Sequence, residues 1–286
     1  MPSKFAEAII SLHKEEQMAK RSATVKAPTM EAGEAKRQPL AIVLYTVPGW
    51  GKSTTASNAT EPGLVMGRDE TGYETLLGQG LVPNIPRTTV RDWGSYLALL
   101  DTLAEGCDYK VLAIDTLGAI EQLCHEHVCN REFRGQWGES GFAGYNRGPK
   151  VASQDWGQML QKLGRIKANG TSILLLGHVR ITKSRDPLSE EYDKATLDID
   201  QKYSLPAVRR WSDAILYGTF ETQVEEDGLR KKGKGGRDRV LYCENAAAHI
   251  AKNRLGLPEM LKVPDDPSQN WAVIRNAIKE GARNAE

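Results

Sequence analysis

The stretch Tyr45-Thr46-Val47-Pro48-Gly49-Trp50-Gly51-Lys52-Ser53-Thr54 decides the fold, because it follows an apolar run at residues 40–45 and ends in a Gly-Lys-Ser turn. An apolar strand feeding a glycine-rich turn, with a helix expected next, is the setting of a phosphate-binding loop. Gly49 and Gly51 let backbone N–H groups converge on phosphate oxygens, Lys52 bridges the terminal phosphates, and the Ser53 hydroxyl is placed to ligate magnesium. Pro48, Gly49, Trp50, Gly51, Lys52, Ser53 and Thr54 are therefore the expected nucleotide contacts, with ATP and Mg2+ as the ligands. Thr46 stands where the usual pattern has its first glycine, so the backbone there has to adopt angles open to a side chain.

Downstream, apolar segments at 64–66, 110–115 and 173–177 read as further strands, separated by helical stretches such as 93–103. Strands alternating with helices predict crossover connections and a mainly parallel sheet with helices on both faces, an α/β core. Residues at the carboxyl ends of its strands face the ligand crevice. Three such residues are singled out. Asp115 ends the Ile-Asp-Thr strand and is expected to hold magnesium together with Ser53. Glu70, after the second strand, is the candidate to orient the attacking water, with Asp69 as its rival; His178, after the fourth, is placed to sense the γ-phosphate.

The chain has 286 residues, enough for one large α/β domain. Residues 1–38 read as an N-terminal arm, with Phe5, Ala8, Ile9 and Leu12 at helical spacing ahead of a polar linker; 39–262 read as the core and 263–286 as a tail with a short helix. Lys+Arg of 38 against Asp+Glu of 37 gives +1, so nucleic acid has to be met by local patches rather than a whole-chain field. No apolar run reaches the ~20 residues of a membrane span and no signal-peptide core opens the chain, which predicts a cytoplasmic protein without a membrane partner. Four cysteines suit a reducing compartment. Cys124, His127 and Cys129 do not follow a common zinc spacing, and the stretch 117–128 reads as an ordinary helix.

Three long polar stretches, 131–150, 180–206 and 226–239, interrupt the core, and loops of that length are usually functional or disordered. The last reads as a hairpin with a basic tip containing Lys231, Lys232 and Lys234. The first combines Arg134, Arg147 and Lys150 with Phe133, Trp137, Phe142 and Tyr145, a mixture suited to phosphates and stacked bases.

The ordered set Tyr-Thr-Val-Pro-Gly-Trp-Gly-Lys-Ser-Thr, Ala-Ile-Asp-Thr-Leu, Gly-Phe-Ala-Gly-Tyr-Asn-Arg-Gly at 141–148, Leu-Leu-Leu-Gly-His-Val at 174–179, Trp-Ser-Asp-Ala-Ile-Leu-Tyr at 211–217 and Ala-Lys-Asn-Arg-Leu-Gly-Leu-Pro at 251–258 resembles the RecA-like P-loop ATPases of phages and prophages, AAA-type proteins that include Sak-type single-strand annealing recombination proteins. The resemblance spans most of 40–262 and implies a RecA-like core with a late antiparallel hairpin, a Mg-dependent ATPase, and ring or filament assembly on single-stranded DNA during recombination or replication. It implies that Lys252 and Arg254 reach the nucleotide of an adjacent subunit. It also implies that the loop after His178, with Arg180, Lys183 and Arg185, faces DNA, and it makes a single-strand-binding protein a further partner. Two other classes share the phosphate loop: a regulatory or assembly ATPase acting on a protein, and a small-molecule kinase.

Overall fold

A computed structural model of the chain describes residues 38–184, 191–227 and 230–283, with the side chains of 222–227, 230–235 and 237 left out of that description. The arm at 1–38 therefore lies outside the described residues except for Gln38, as does Arg185. The described residues belong to one compact unit.

The strands are β1 (Ala41–Thr46), β2 (Pro62–Met66), β3 (Arg87–Thr89), β4 (Val111–Asp115), β5 (Ser172–Ser184), β6 (Tyr192–Leu197), β7 (Ala214–Asp227), β8 (Arg230–Tyr242), β9 (Lys252–Asn253) and β10 (Met260–Val263). The helices are α1 (Lys52–Ser57), α2 (Gly72–Gly78), α3 (Trp93–Glu105), α4 (Leu117–Phe133), α5 (Arg147–Ala168), α6 (Ser204–Trp211) and α7 (Asn270–Arg283). In the sheet, β3, β2, β4, β5, β1 and β7 lie side by side and parallel, and β8 and β10 continue it antiparallel beyond β7. The expected α/β architecture with a late antiparallel hairpin is the one found.

The central strands β1 and β4 are apolar up to their last residues, Thr46 and Asp115, because both sheet faces are covered. Side chains alternate across β1: Val43 and Tyr45 join a core with Trp93, Tyr96, Ile120, Leu123, Trp156, Leu163 and Val208, so α3, α4, α5 and α6 cover that face. Ile42 and Leu44 join the opposite core with Ala56, Tyr73, Trp271 and Ile274, contributed by α1, α2 and α7. The segment read as a C-terminal tail is thus part of the second core, through Val263, Trp271, Ile274 and Ala277. Its 3-10 turn (Pro267–Gln269) abuts the phosphate loop, where a Cβ on Gly51 would run into Pro267.

Two expectations of irregular structure are corrected. Of the stretch 131–150, only the part between α4 and α5 is loop, and α5 is a 22-residue amphipathic helix. Much of 180–206 is ordered as the outer half of β5 pairing antiparallel with β6, from Val179↔Leu197 to Ser184↔Tyr192, followed by α6. In both, charged residues on the solvent side hide a regular period. The expected hairpin at 226–239 is present, but its strands run to Asp227 and from Arg230, in register Glu225↔Lys232 and Glu226↔Lys231. Among the described residues no helix is long and apolar enough to cross a membrane.

Candidate functional site

The site lies where β1 and β4 end, on either side of His178 in the middle of β5. β5 stands between β1 and β4, so His178, in register with Thr46, separates the phosphate loop from Asp115 laterally. Gly49 (φ 77°) and Gly51 (φ 103°) both take left-handed backbone angles, which frees the loop to turn its N–H groups inward. Thr46 needs no such angle: it is the extended last residue of β1, buried between His178 and Gly218 in the sheet register. Room for it comes from Gly218, where a Cβ would stand 2.8 Å from Thr46 Cγ2 and 2.7 Å from the Trp50 ring. Trp50 is fully buried, and its indole N–H donates to the Val240 carbonyl at 3.2 Å. Its own carbonyl accepts from Arg239 Nε at 3.0 Å, so the loop is fastened to β8 at both atoms.

A cavity of about 300 Å³ runs along residues 46–54 and is closed by Leu76, His178 and Pro267. At its head, the Ser53 hydroxyl donates to Asp115 Oδ2 at 2.7 Å and Lys52 Nζ stands 3.6 Å from Asp115 Oδ1. Asp115 is buried, and its Oδ1 has no hydrogen-bond partner. Burial pushes its pKa up, opposed by the Lys52 charge and the Ser53 hydroxyl. A buried carboxylate oxygen left without a donor, beside a serine hydroxyl, is a donor set that fits a hydrated divalent cation.

Glu70 approaches from the end of β2. Its Oε1 accepts the Thr116 hydroxyl at 2.6 Å and lies 3.7 Å from His178 Nε2. His178, then the Thr116 hydroxyl and the Lys52 charge, hold the Glu70 carboxyl below its usual range against burial. Thr116 meanwhile accepts from the Ala119 N–H at 3.4 Å, capping α4, and follows Asp115 through a cis peptide bond. A second, larger cleft of about 1010 Å³ opens on the far side of Glu70 and His178, bounded by Arg68, Glu121, Arg180, Asp198 and Asp200.

The structure therefore brings Lys52, Ser53, Glu70, Asp115 and His178 together. Asp69 instead points to Arg68, 3.5 Å away on the exposed side. It does not bring Lys252 or Arg254 to them. β9 pairs with the start of β7, at Ile215 and Ala214, and the Arg254 N–H donates to the Asp213 carbonyl. Asp213 precedes Gly218 by five residues, about 16 Å of extended strand, so both cations lie at the opposite end of the sheet from their own phosphate loop. Lys252 Nζ is engaged by the carbonyls of Arg209, at 2.6 Å, and Ser212, at the C-terminal end of α6, whereas Arg254 is exposed.

Of the residues expected at DNA, Arg134, Arg147 and Lys150 flank one exposed loop between α4 and α5. Arg180 lies 3.9 Å from Asp198 and Lys183 is 2.7 Å from Asp193 across the β5–β6 hairpin. Lys231, Lys232 and Lys234 are on β8 with side chains outside the described set, and Arg185 is outside it altogether. Cys124 and Cys129 are buried on α4, as a helical reading of 117–128 requires.

Sequence reasoning gave no role to Thr116, Gly218, Pro267 or Glu121, and it read Arg239 only as one cation of the basic hairpin, whereas it holds the Trp50 carbonyl. Thr116 had a signal, a hydroxyl directly after a strand-ending carboxylate. The others act through contacts far away in sequence and had none.

No curated protein matches the chain at a significant level. A family model described as an AAA domain matches residues 38–255, which takes in the phosphate loop, the Asp115 strand, His178 and Arg254. The chain belongs to this AAA domain family of P-loop ATPases.

Proposed function

We propose that the protein is a Mg-dependent ATPase of the RecA-like, Sak-type phage group that assembles into a ring or filament and acts on single-stranded DNA in recombination or replication. The observation that carries the catalytic part is the Ser53–Asp115–Lys52 cluster at the phosphate loop, with Glu70 held beside it by Thr116 and His178. Gly49, Gly51 and Lys52 bind the triphosphate. Ser53 and Asp115 would hold magnesium, which when bound supplies positive charge to the β- and γ-phosphate oxygens. Glu70, with Oε1 fixed by Thr116, keeps Oε2 to orient the attacking water and accept its proton. His178 stands between Glu70 and the phosphate loop, in reach of the terminal phosphate.

Assembly is supported by the position of Arg254. It is exposed and far from its own nucleotide, so it stabilises charge on the transferring phosphoryl group only at the site of a neighbouring copy. Lys252, tied to the end of α6, positions this segment. A single-strand-binding protein is the further partner this reading predicts.

The test is ATP turnover against protein concentration, with and without a single-stranded oligonucleotide, for wild type, Lys52→Ala, Arg254→Ala and an equimolar mixture of the two variants. The expected result is DNA-stimulated, concentration-dependent turnover lost in each variant alone and partly restored in the mixture, since each copy supplies what its neighbour lacks. Turnover indifferent to DNA, to concentration and to Arg254 would overturn the assembly and DNA parts and favour a self-contained nucleotide enzyme.

A further inference from the structure

The loop between α4 and α5 displays one aromatic side chain that packs on nothing. Tyr145 is 98% exposed, the largest exposure of any large apolar residue described. Its backbone is left-handed (φ 49°, ψ 31°), as is that of Asn146 (φ 56°), a conformation that a bulky side chain holds only where its surroundings impose it.

Those surroundings are dense. Phe142 is buried beneath the loop and touches three rings, His125 and Trp137 with centroids at 5.0 Å and Phe133 at 5.7 Å. A Cβ at Gly141 would run into the Gln136 carbonyl, one at Gly144 into the Glu139 carbonyl, and one at Gly148 into the Phe142 ring. Arg147 braces the turn from outside, donating to the carbonyls of Gly144 (3.4 Å) and Ser140 (3.2 Å). The loop is built rigidly, and what it holds out is a bare phenol ring.

Cations flank that ring in sequence, and Arg147 holds the turn next to it. Arg134 begins the loop, and Arg147 and Lys150 end it and line a groove of about 500 Å³ with Phe133, Val151 and Gln154. The acid of this groove, Glu132, is paired with Arg131 at 2.8 Å. An exposed ring with cations beside it offers a π-face to a base and positive charge to the flanking phosphates, the combination that binds single strands without sequence readout.

We propose that Tyr145 is the base-stacking anchor of a single-stranded nucleic-acid site, with Arg147 and Lys150 contacting the adjoining phosphates. This deepens the reading above and rests on it for the class of partner.

The experiment titrates full-length protein into an oligothymidine carrying one 2-aminopurine, following its fluorescence from 50 to 300 mM salt, for wild type, Tyr145→Phe, Tyr145→Ala, Tyr145→Gly and Lys150→Ala. Stacking predicts quenching by wild type and Tyr145→Phe, and roughly tenfold weaker binding without quenching for Tyr145→Ala and Tyr145→Gly. The salt slope stays the same in those two and becomes shallower in Lys150→Ala. Glycine relieves the left-handed backbone, so Tyr145→Gly melts no lower than wild type, and its weak binding cannot come from unfolding. Wild-type binding that Tyr145→Ala leaves within twofold, or that Tyr145→Phe weakens as much as Tyr145→Ala, overturns the stacking role alone. No oligonucleotide binding by the wild type overturns it together with the DNA reading.

Discussion

Asp115 Oδ2 accepts the Ser53 hydroxyl at 2.7 Å, while Oδ1 of the same buried carboxylate has no hydrogen-bond partner and lies 3.6 Å from Lys52 Nζ. The two residues are 62 positions apart in sequence and meet because β1 and β4 end at the same level of one parallel sheet. The pair holds a charge that the fold alone does not satisfy, and its consequences are measurable without any assay of DNA.

Asp115→Asn should abolish ATP turnover yet raise the melting temperature of the nucleotide-free protein. Burial lifts the Asp115 pKa, so the folded state favours the neutral form. For a raised pKa the stabilising contribution is complete below the unfolded value and fades as pH rises. The gap between the variant and wild type should therefore widen from acid to neutral pH, reaching ~1–3 kcal/mol, the usual cost of an unsatisfied buried polar group. The stabilisation of wild type by Mg-ATP should disappear in the variant. Differential scanning fluorimetry across pH, with and without nucleotide, checks both.

If Glu70 orients the attacking water as proposed, Glu70→Gln should cut turnover by ~10²–10⁴ with nucleotide affinity little changed. His178 and Thr116 depress the Glu70 pKa, so the carboxylate persists into acid. Replacing Thr116 by Val should move the acid limb of the turnover profile to higher pH. An unshifted limb in that variant would exclude Glu70 as the group that titrates.

Gly218→Ala should destabilise the protein by ~1–3 kcal/mol, an overpacking cost. The new methyl would stand 2.7 Å from the Trp50 ring and 2.8 Å from Thr46 Cγ2. Because Trp50 is part of the phosphate loop, KM for ATP should rise as well. Thr46→Ser removes the crowded methyl and should recover part of the loss in the double variant, leaving the share due to Trp50; chemical denaturation of the four proteins measures the coupling.

Glu121 gives a second pH signature. Burial, with Asp200 and Asp198 adding to it, pushes its pKa up to about 7 from 4.5, against the Ser204 hydroxyl and the Asp200 N–H that it accepts. Its stabilising contribution is complete below the unfolded value and lost as pH rises through about 7. Wild-type stability should fall between pH ~5 and ~8 by at most on the order of 3 kcal/mol. Glu121→Gln keeps an acceptor for the Asp200 N–H and should flatten the profile; melting curves over that range decide it.

The sequence by itself determined the class of fold and the phosphate grip. Strands covered on both faces have to be apolar along their buried length, as β1 and β4 are up to Thr46 and Asp115, and a Gly-Lys-Ser turn after such a strand has few other uses. The placement of Asp115 was legible because residues that end parallel strands share one edge; Glu70 lies four residues beyond β2, and His178, expected after its strand, sits inside the longer β5 at the level where β1 ends. Helix α5 and the β5–β6 hairpin were not, because solvent-facing charge masks their periodicity. Only the tertiary structure decided that Thr116 holds Glu70, that Gly218 makes room for Trp50 and Thr46, and that Pro267 from the end of the chain closes the phosphate cavity. It alone put Arg254 at the far end of the sheet and left Tyr145 bare. Such relations depend on which distant segments the packing of two cores brings together, and no local pattern of residues encodes that distance.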